Sequence, residues 1–387
     1  MTKRVNLLSE SITIAISTLA KQMKADGIDV LSFSAGEPDF DTPKAIKDAV
    51  KNALDSGNCS KYTPVPGEYR VLKAIASKLK RENNLEYRPD QIITNVGAKH
   101  SLFNLFGAII EDGDEVIIPA PYWVSYPEMT KLWGGVPVFV KTCQSNDFKM
   151  TPKELKDAIT SKTKLLILNS PCNPTGAIYT KDEIRELGEV LKGSNIIVAS
   201  DEIYEKLSYD VEFTPVASVS KDLFNRTVTI NGLSKCGAMP GWRFGYMASN
   251  IDGLNLAVRK LQSQSTSNIC SLVQAGALPA LLGEIDDDIK NMRDEFIKRR
   301  DLACELFGRI DGLTLRKPAG AFYIFIDCKK IEKDSMKFCK RLLEEAKVAV
   351  VPGVGFGMEG YFRFSYATSR ENIKEGIKRI EKFIKNY

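Results

Sequence analysis

The chain contains Thr227-Val228-Thr229-Ile230-Asn231-Gly232-Leu233-Ser234-Lys235, a strand-like run that ends in a polar turn and a lysine. Its first four residues are β-branched, which is typical of a strand buried within a sheet. A lysine at the end of such a strand loses hydration, which lowers its pKa and makes the amine nucleophilic. Ser234 and Arg243 lie close by in sequence and would suit a phosphate. An ordinary surface lysine in a strand–helix turn has the same local sequence, so this run alone leaves both interpretations open.

Four more apolar runs have the same character, and helix-like segments separate them. They lie at 91–94, 115–118, 165–168 and 196–199. Continuous apolar strands that alternate with helices predict an α/β fold with a mainly parallel sheet covered by helices. Asn173, Asp201 and Lys235 all follow strand ends. Because ligands bind parallel sheets at the carboxyl ends of the strands, we expect a site there.

The length and the C-terminal pattern predict two domains. A chain of 387 residues is long for one simple core. From about residue 288 the pattern changes to α+β, with a charged helix at 288–306, a strand at 322–326, a helix at 335–346, strands at 348–351 and 361–365, and a last helix from 371. We predict that residues 1–45 and 288–387 form a small domain beside a large ligand-binding domain at 46–287.

Composition argues against nucleic-acid and membrane partners. The formal charge of +5 is small beside 54 basic and 49 acidic residues. The basic runs are interleaved with acids, as on a solvated helix face. No apolar stretch approaches the roughly 18 residues of a membrane span, and residues 1–20 lack the apolar core of a signal peptide. We therefore expect a cytoplasmic protein.

The cysteines and the single histidine restrict the chemistry further. The eight cysteines contain no C-x-x-C pair, so neither a zinc ribbon nor a redox motif is predicted. His100 is the one histidine, which argues against a histidine metal site and against a Ser–His–Asp hydrolase. We predict no metal. Lysine, carboxylate or a cofactor must carry the chemistry.

Two glycine motifs are candidate phosphate-binding sites, and only one of them has a suitable sequence context. Residues 355–360 match G-x-G-x-x-G, but a strand-like segment follows where a dinucleotide site needs a helix N-terminus, so we reject that site. Gly97-Ala98-Lys99 follows a strand and opens a helix, where free N–H groups favour an anion. A glycine that simply eases the turn is an equal alternative.

Three more side chains have both a structural and a functional interpretation. Asp201 can cap a helix or pair with a protonated ring nitrogen, and Tyr204 could reach the same ligand. Trp123 suits the core as well as a cofactor site. Arg363 alternates with aromatic residues in a strand, so it either meets a bound anion or forms a structural ion pair.

Together these residues resemble the fold-type I pyridoxal-phosphate aminotransferases, and within them the class I group typified by bacterial aspartate aminotransferases. The resemblance spans almost the whole chain and consists of six segments in the family's order: Gly36-Glu37-Pro38-Asp39-Phe40, Lys61-Tyr62-Thr63-Pro64, the segment 169–176, Ser200-Asp201-Glu202-Ile203-Tyr204, Ser234-Lys235 with Gly241-Trp242-Arg243, and Arg363-Phe364-Ser365-Tyr366. It implies pyridoxal 5′-phosphate as cofactor and a large domain with a seven-stranded sheet. It also implies a homodimer with shared active sites.

The resemblance implies a role for each residue around the cofactor ring. Lys235 would form the Schiff base with the cofactor and later move the proton between the substrate Cα and the cofactor. Asp201 would keep the ring nitrogen protonated, so that the ring accepts electrons. Tyr204 and Asn173 would hydrogen-bond the ring hydroxyl oxygen, and Trp123 would stack on the ring.

The resemblance also implies how the phosphate is held. The backbone of Ala98 and Lys99, together with Ser234 and Arg243, would bind it. Tyr62 would reach it from the partner subunit.

Substrate binding follows from the same resemblance. Arg363 would bind the α-carboxylate, assisted by the Gly36 N–H, with Trp123 and Asn173 beside the substrate. Lys99 could reach a distal carboxylate, with hydroxyls from Ser11 or Thr13. We therefore predict a transaminase that moves the amino group of L-aspartate to 2-oxoglutarate, giving oxaloacetate and L-glutamate.

Three alternatives share the cofactor site. An aromatic amino-acid or prephenate aminotransferase needs only an adaptable pocket. A β-eliminating lyase would release pyruvate and ammonia from a β-substituted amino acid. A non-catalytic regulator would need a DNA-binding module, and we expect none because the segment before Gly36 is too short for one.

Overall fold

The computed structural model describes residues 2–387. Within them the chain forms thirteen strands: β1 Leu31–Ser32, β2 Ile92–Val96, β3 Glu115–Ala120, β4 Val136–Lys141, β5 Thr163–Asn169, β6 Ile197–Asp201, β7 Thr227–Gly232, β8 Phe244–Ser249, β9 Thr314–Leu315, β10 Tyr323–Asp327, β11 Val348–Ala349, β12 Val351–Pro352 and β13 Tyr361–Ser365. The same residues form fourteen α-helices: α1 Lys3–Asn6, α2 Ile12–Ala25, α3 Lys44–Asp55, α4 Tyr69–Asn83, α5 Ala98–Ile109, α6 Ser125–Leu132, α7 Pro152–Ala158, α8 Lys181–Leu191, α9 Lys221–Arg226, α10 Leu254–Ser263, α11 Ser271–Leu282, α12 Asp286–Phe307, α13 Ser335–Ala346 and α14 Arg370–Lys385.

Seven strands form a central sheet in the order β2-β8-β7-β6-β5-β3-β4. Neighbouring strands are parallel except at β8, which is antiparallel to both β2 and β7. The sheet is covered on both faces: in β5, Leu165 and Ile167 join one apolar cluster, while Leu166 and Leu168 join another. The predicted α/β fold with a mainly parallel sheet is therefore confirmed.

The apolar runs predict five of these seven strands and miss β4 and β8. They also place Asp201 just beyond a strand, whereas it is the last residue of β6. This one-residue difference arises because the backbone of Asp201 still pairs with Ile230 of β7. Its side chain nevertheless lies at the carboxyl edge of the sheet.

A separate antiparallel sheet is built from the C-terminal part of the chain, in the order β12-β13-β10-β9. The N-terminal segment packs beside it: β1 pairs in parallel with β11 as a separate two-stranded sheet, and the Phe33 ring stacks on Phe364 at 4.2 Å. The small α+β unit built from both termini is thus present, while its boundaries at 45 and 288 stay predictions. The strand β13 directly follows Gly360, so the G-x-G-x-x-G match at 355–360 is not followed by the helix that a dinucleotide site needs.

The helices complete the layers around both sheets. The predicted helices at 288–306 and 335–346 correspond to α12 and α13. Side-chain caps define several helix starts: Thr180 and Glu183 form a capping box at α8, and Ser369 caps α14. Among the helices within residues 2–387, none has both the length and the apolar character that a bilayer span requires.

Candidate active site

A cleft of ≈ 490 Å³ lies at the carboxyl ends of β5, β6 and β7. Residues from the small sheet and from the N-terminal segment complete its wall. Of the predicted site residues, all but Tyr62 line it: Ser11, Thr13, Gly36, Ala98, Lys99, Trp123, Asn173, Asp201, Tyr204, Ser234, Lys235, Arg243 and Arg363. Ligands bind parallel sheets at the carboxyl ends of the strands, and side chains that are far apart in sequence come together at this edge.

Lys235 follows β7 and points its amine into this cleft. Nζ donates a hydrogen bond to the carbonyl of Gly36 and lies 5.7 Å from the centroid of the Tyr204 ring. Burial lowers the pKa of Lys235 to about 8, and the nearby Arg363 and Arg243 act in the same direction. A useful fraction of the amine is therefore neutral close to physiological pH, as a nucleophile or a general base requires.

Asp201 ends β6 with its carboxylate buried. Oδ2 accepts a hydrogen bond from the Tyr126 hydroxyl at 2.6 Å, and Oδ1 accepts a longer one from the Ile203 N–H at 3.4 Å. Burial raises the pKa of Asp201, and the Tyr126 hydrogen bond opposes that rise. The helical turn that follows is a short 3₁₀ segment, Glu205–Leu207, which begins after Tyr204, so Asp201 does not cap an α-helix.

Arg363 on β13 is 1% exposed and faces the same cleft. Its guanidinium donates to the Asn173 Oδ1 at 2.9 Å and to the Ser34 carbonyl at 2.8 Å, while Nε has no hydrogen-bond partner. Within residues 2–387, no carboxylate lies within 4.0 Å of it. A structural ion pair therefore does not explain this arginine. A buried cation without a counter-ion is costly, so the geometry favours an anionic ligand.

An anion cup forms where α5 begins. Gly97 has φ +78°, and the free N–H groups of Ala98 and Lys99 lie at the helix N-terminus. Arg243 lies against this turn and donates to the Val96 carbonyl at 3.3 Å, with no carboxylate of residues 2–387 within 4.0 Å. The buried Ser234 also lines the cleft. A helix N-terminus, an arginine and a hydroxyl together suit a phosphate.

Lys99 places a second cation at the same end of the cleft. Its Nζ lies 4.9 Å from the centroid of the Trp123 ring. Loss of hydration in the cleft and the charge of Arg243 lower the pKa of Lys99. Ser11 and Thr13 line the cleft as well, so hydroxyls from the N-terminal segment accompany this cation. The half-buried Trp123 also packs against the main apolar cluster, so its structural and ligand-facing interpretations both hold.

Two tyrosines of the cleft were not predicted from the sequence. Tyr126 bonds to Asp201, and the Tyr323 hydroxyl lies 2.9 Å from the Tyr204 hydroxyl. The Tyr323 ring also lies 4.3 Å from the Arg363 guanidinium. A tyrosine three residues after Trp123, or at the start of an aromatic strand, has no local pattern that separates it from a core residue. Their roles follow only from the packing.

Tyr62 lies outside the cleft of its own chain. Its side chain is 92% exposed. The loop that carries it is well anchored, because Gln274 donates to the Thr63 hydroxyl at 2.8 Å and Gln262 donates to the Val65 carbonyl at 2.7 Å. An exposed tyrosine on a fixed loop is free to contact a second chain, and its predicted role stays a prediction.

The donor set of the cleft also bears on the kind of ligand. Within residues 2–387, no three histidine, cysteine, aspartate or glutamate side chains converge as a metal site would require. The cleft instead offers two carboxylates, Glu37 and Asp201, together with the Lys235 amine and several other cations. These groups suit an organic ligand that carries a phosphate, together with a carboxylate substrate.

The chain matches the Aminotransferase class I and II family over residues 28–380. This match covers most of the chain, and the chain belongs to that family. The resemblance drawn from the six sequence segments is therefore confirmed, and the protein is an enzyme of the aminotransferase class.

Individual relatives agree with the family. The chain is 46% identical to the aspartate aminotransferase of Bacillus subtilis, covering 100% of this chain and 99% of the relative. It is also 46% identical to a probable aspartate/prephenate aminotransferase of Rickettsia felis, covering 98% and 95%. Among solved structures, aspartate aminotransferase from Thermus thermophilus with maleate superposes with a TM-score of 0.95 at 40% identity, over 99% of both chains.

Proposed function

We propose that this enzyme transfers the amino group of L-aspartate to 2-oxoglutarate, giving oxaloacetate and L-glutamate, with pyridoxal 5′-phosphate as cofactor. The observation that carries the proposal is the buried guanidinium of Arg363, which has no carboxylate partner and faces the cleft that holds Lys235. Both substrates bring a carboxylate to it. Relatives named aspartate aminotransferase, at 46% identity over the full chain, support the choice of donor.

The residues of the cleft fit pyridoxal phosphate. The anion cup at α5 suits the phosphate, and Arg243 there has no carboxylate of residues 2–387 within 4.0 Å. Asp201 is a buried carboxylate with no lysine or arginine of those residues within that distance, so a protonated ring nitrogen would supply its missing partner. When bound, the cofactor supplies an aldehyde that condenses with amines and a ring that withdraws electrons from the substrate Cα.

Lys235 is the group that moves the proton. With a pKa of about 8, its amine can accept the proton from the substrate Cα and return it at a different atom. In the proposal, Tyr204 and Asn173 donate hydrogen bonds to the ring hydroxyl oxygen. The contact between the hydroxyls of Tyr204 and Tyr323, at 2.9 Å, orients the first of these donors.

Substrate orientation comes from the two ends of the cleft. Arg363 offers a fork of N–H donors for the α-carboxylate, and the Gly36 N–H lies in the same wall. Lys99, with Ser11 or Thr13, would bind the distal carboxylate of a dicarboxylic acid. Fixing a substrate at both ends sets the Cα–H bond relative to the ring, an orientation effect that contributes on the order of 7–11 kcal/mol in favourable cases.

The proposal includes a homodimer with shared sites. Tyr62 is exposed on an anchored loop and reaches nothing in its own cleft. In the proposed dimer it contributes its hydroxyl to the phosphate bound by the partner subunit. Each active site is then complete only when two chains associate.

A second candidate reaction uses prephenate or an aromatic amino acid. Relatives named aspartate/prephenate aminotransferase favour it, and a cleft of ≈ 490 Å³ has room for a ring. Prephenate also carries two carboxylates, so Arg363 and Lys99 would serve it as they serve aspartate. The aspartate reaction has the broader support, because several full-length relatives carry that name alone.

The test is the Lys99→Ala enzyme, assayed with L-aspartate and with L-alanine. Loss of a charge-assisted hydrogen bond costs about 1.5–3 kcal/mol, so KM for aspartate should rise roughly 10- to 100-fold. KM for alanine, which has no distal carboxylate, should change little. The matched control is Lys374→Ala, an exposed lysine on α14 outside the cleft. Equal losses for aspartate and alanine would contradict the assignment of Lys99.

A further inference from the structure

We propose that Tyr126 is a positioning residue for Asp201: its hydroxyl holds one carboxylate oxygen, Oδ2, and leaves Oδ1 for the ring nitrogen of the cofactor. This inference rests on the proposed function, because it takes pyridoxal phosphate as the ligand. It adds to that function a residue that does not touch the reacting atoms. Tyr126 would act through Asp201 by keeping the carboxylate ionised and correctly turned.

Within residues 2–387, Tyr126 is the one side chain that hydrogen-bonds the Asp201 carboxylate. The hydroxyl donates to Oδ2 at 2.6 Å, a short hydrogen bond of the kind expected toward a charged acceptor. The remaining hydrogen bond, from the Ile203 N–H to Oδ1, is 3.4 Å long and therefore weak. Lys235 does not replace Tyr126, because its amine donates to the carbonyl of Gly36.

The fold gives the Tyr126 hydroxyl no freedom to turn away. The side chain is 1% exposed, and the residue is the second of α6. Its N–H donates to the Trp123 carbonyl at 3.1 Å, and its carbonyl accepts from the Thr130 hydroxyl at 2.9 Å. The ring packs edge-on against the Trp123 ring with centroids 5.3 Å apart. The residue that fixes the Asp201 carboxylate thus also contacts the aromatic side chain expected to stack on the cofactor.

A phenol in this position acts only as a donor. Burial raises the pKa of Tyr126, and the charge of Asp201 raises it further, so the hydroxyl keeps its proton. Burial alone would favour the neutral form of Asp201, whereas a donated hydrogen bond favours the carboxylate. An ionised Asp201 holds the proton on the cofactor's ring nitrogen. A neutral Asp201 would leave that nitrogen unprotonated and the ring a weaker electron acceptor.

The test is Tyr126→Phe in the full-length enzyme, with two readouts besides activity. The first is the Kd for pyridoxal phosphate of the cofactor-free protein. The second is the ¹⁵N NMR shift of bound cofactor labelled at the ring nitrogen, which reports whether that atom is protonated. We expect the Kd to rise about 3- to 10-fold, as for loss of one buried hydrogen bond, and the shift to move toward the unprotonated form.

The matched control is Tyr122→Phe, four residues earlier. The Tyr122 ring stacks on Phe139 at 5.0 Å, and its hydroxyl makes no hydrogen bond within residues 2–387. This variant should keep the wild-type Kd and ¹⁵N shift. Because phenylalanine preserves the buried ring, Tyr126→Phe should fold, and thermal unfolding of the cofactor-free protein checks this.

A double-mutant cycle with Asp201→Asn separates positioning from general packing. If Tyr126 acts through Asp201, adding Tyr126→Phe to Asp201→Asn should not weaken cofactor binding further. The inference is overturned if Tyr126→Phe keeps the wild-type shift and Kd, or if it weakens binding equally in both backgrounds. Failure of the wild-type enzyme to bind pyridoxal phosphate would instead overturn the proposed function, so the two failures are distinguishable.

Discussion

Two cations of the cleft, the partly buried Lys235 and the buried Arg363, show how the fold makes ordinary side chains reactive or selective. Lys235 and Arg363 both line the cleft, and burial lowers the pKa of each. For the lysine the consequence is that a larger fraction of the amine is neutral near physiological pH. For the arginine, which stays charged, the consequence is a strong demand for an anion. Loss of hydration therefore makes Lys235 a proton carrier and makes Arg363 a binding site for a carboxylate.

The first prediction concerns the pH dependence of cofactor uptake. Only the neutral Lys235 amine can attack the cofactor aldehyde, and burial lowers its pKa from 10.5 to about 8. The rate of pyridoxal phosphate uptake by the cofactor-free enzyme should therefore rise with pH, with its midpoint near pH 8. Stopped-flow absorbance from neutral to alkaline pH measures this rate. A midpoint near 10.5 would show that the folded protein does not perturb the lysine.

For individual residues, the sequence predicts the site residues that follow strand ends. It does not predict the site residues that reach the cleft only through tertiary packing. Asn173, Asp201 and Lys235 are predictable because parallel strands end at one edge of the sheet. Arg363 was predicted with two interpretations, and the absence of a carboxylate within 4.0 Å among residues 2–387 decides between them. Tyr126 could not be predicted, since its contact with Asp201 joins positions 75 residues apart.

At the scale of elements, the anion cup depends on how closely β8 approaches the start of α5. A Cβ on Gly245 of β8 would lie 2.3 Å from the Ala98 nitrogen. A Cβ on Gly97 would lie 2.4 Å from the Arg243 Nη2. The helix N-terminus and the arginine can therefore share one anion only because both positions lack a side chain.

The second prediction compares Gly97→Ala with Gly113→Ala. Both glycines have positive φ, at +78° and +93°, so each substitution should cost folding free energy. The cost should be larger at Gly97, whose ψ of 161° lies in a region that essentially only glycine adopts. Only the first displaces a guanidinium, because a Cβ on Gly113 meets nothing within 4 Å. We expect both cofactor-free variants to unfold at a lower temperature than the wild type, with the larger loss for Gly97→Ala. The Kd for pyridoxal phosphate should rise about tenfold or more for Gly97→Ala alone, since a charge-assisted contact is lost. Equal affinities in the two variants would argue against the cup.

The strands that the sequence misses have physical reasons for their weak signal. The strand β4 lies at the edge of the sheet, where Val136 and Phe139 are exposed, and it contains Pro137, a residue that argues against a central strand. The strand β8 contains Gly245 and begins directly after Arg243, which has φ +63°. A glycine inside the segment is typical of a turn, and the positive φ of Arg243 shows that a turn does precede the strand directly. Pairing with β2 and β7, which the sequence does not reveal, makes β8 a central strand.

At the scale of the whole molecule, the site lies where the central sheet meets the small antiparallel sheet. The hydrogen bond from Arg363 of the small sheet to Asn173, which follows β5 of the central sheet, joins positions 190 residues apart. Local patterns predict both sheets but not the contact between them. The predicted union of Gly36, Lys235 and Arg363 in one cleft came from the family resemblance, because only a whole-fold comparison carries that information.

The third prediction tests shared active sites by mixing subunits. Lys235→Ala removes the amine, and Tyr62→Ala removes the proposed contribution to the partner subunit. Each variant alone should have low activity. Random exchange makes half of the dimers mixed, and each mixed dimer regains one intact site, so activity should return to about a quarter of the wild-type value. No gain after exchange, verified by native mass spectrometry, would contradict a shared site.

The most direct test of the central claim is the product formed from L-aspartate alone by enzyme loaded with pyridoxal phosphate. An aminotransferase keeps the amino group until an acceptor arrives. We therefore predict one oxaloacetate per subunit and then no further reaction, with steady turnover and L-glutamate formation once 2-oxoglutarate is added. Continuous release of ammonia without an acceptor, or no oxaloacetate at all, would contradict the account.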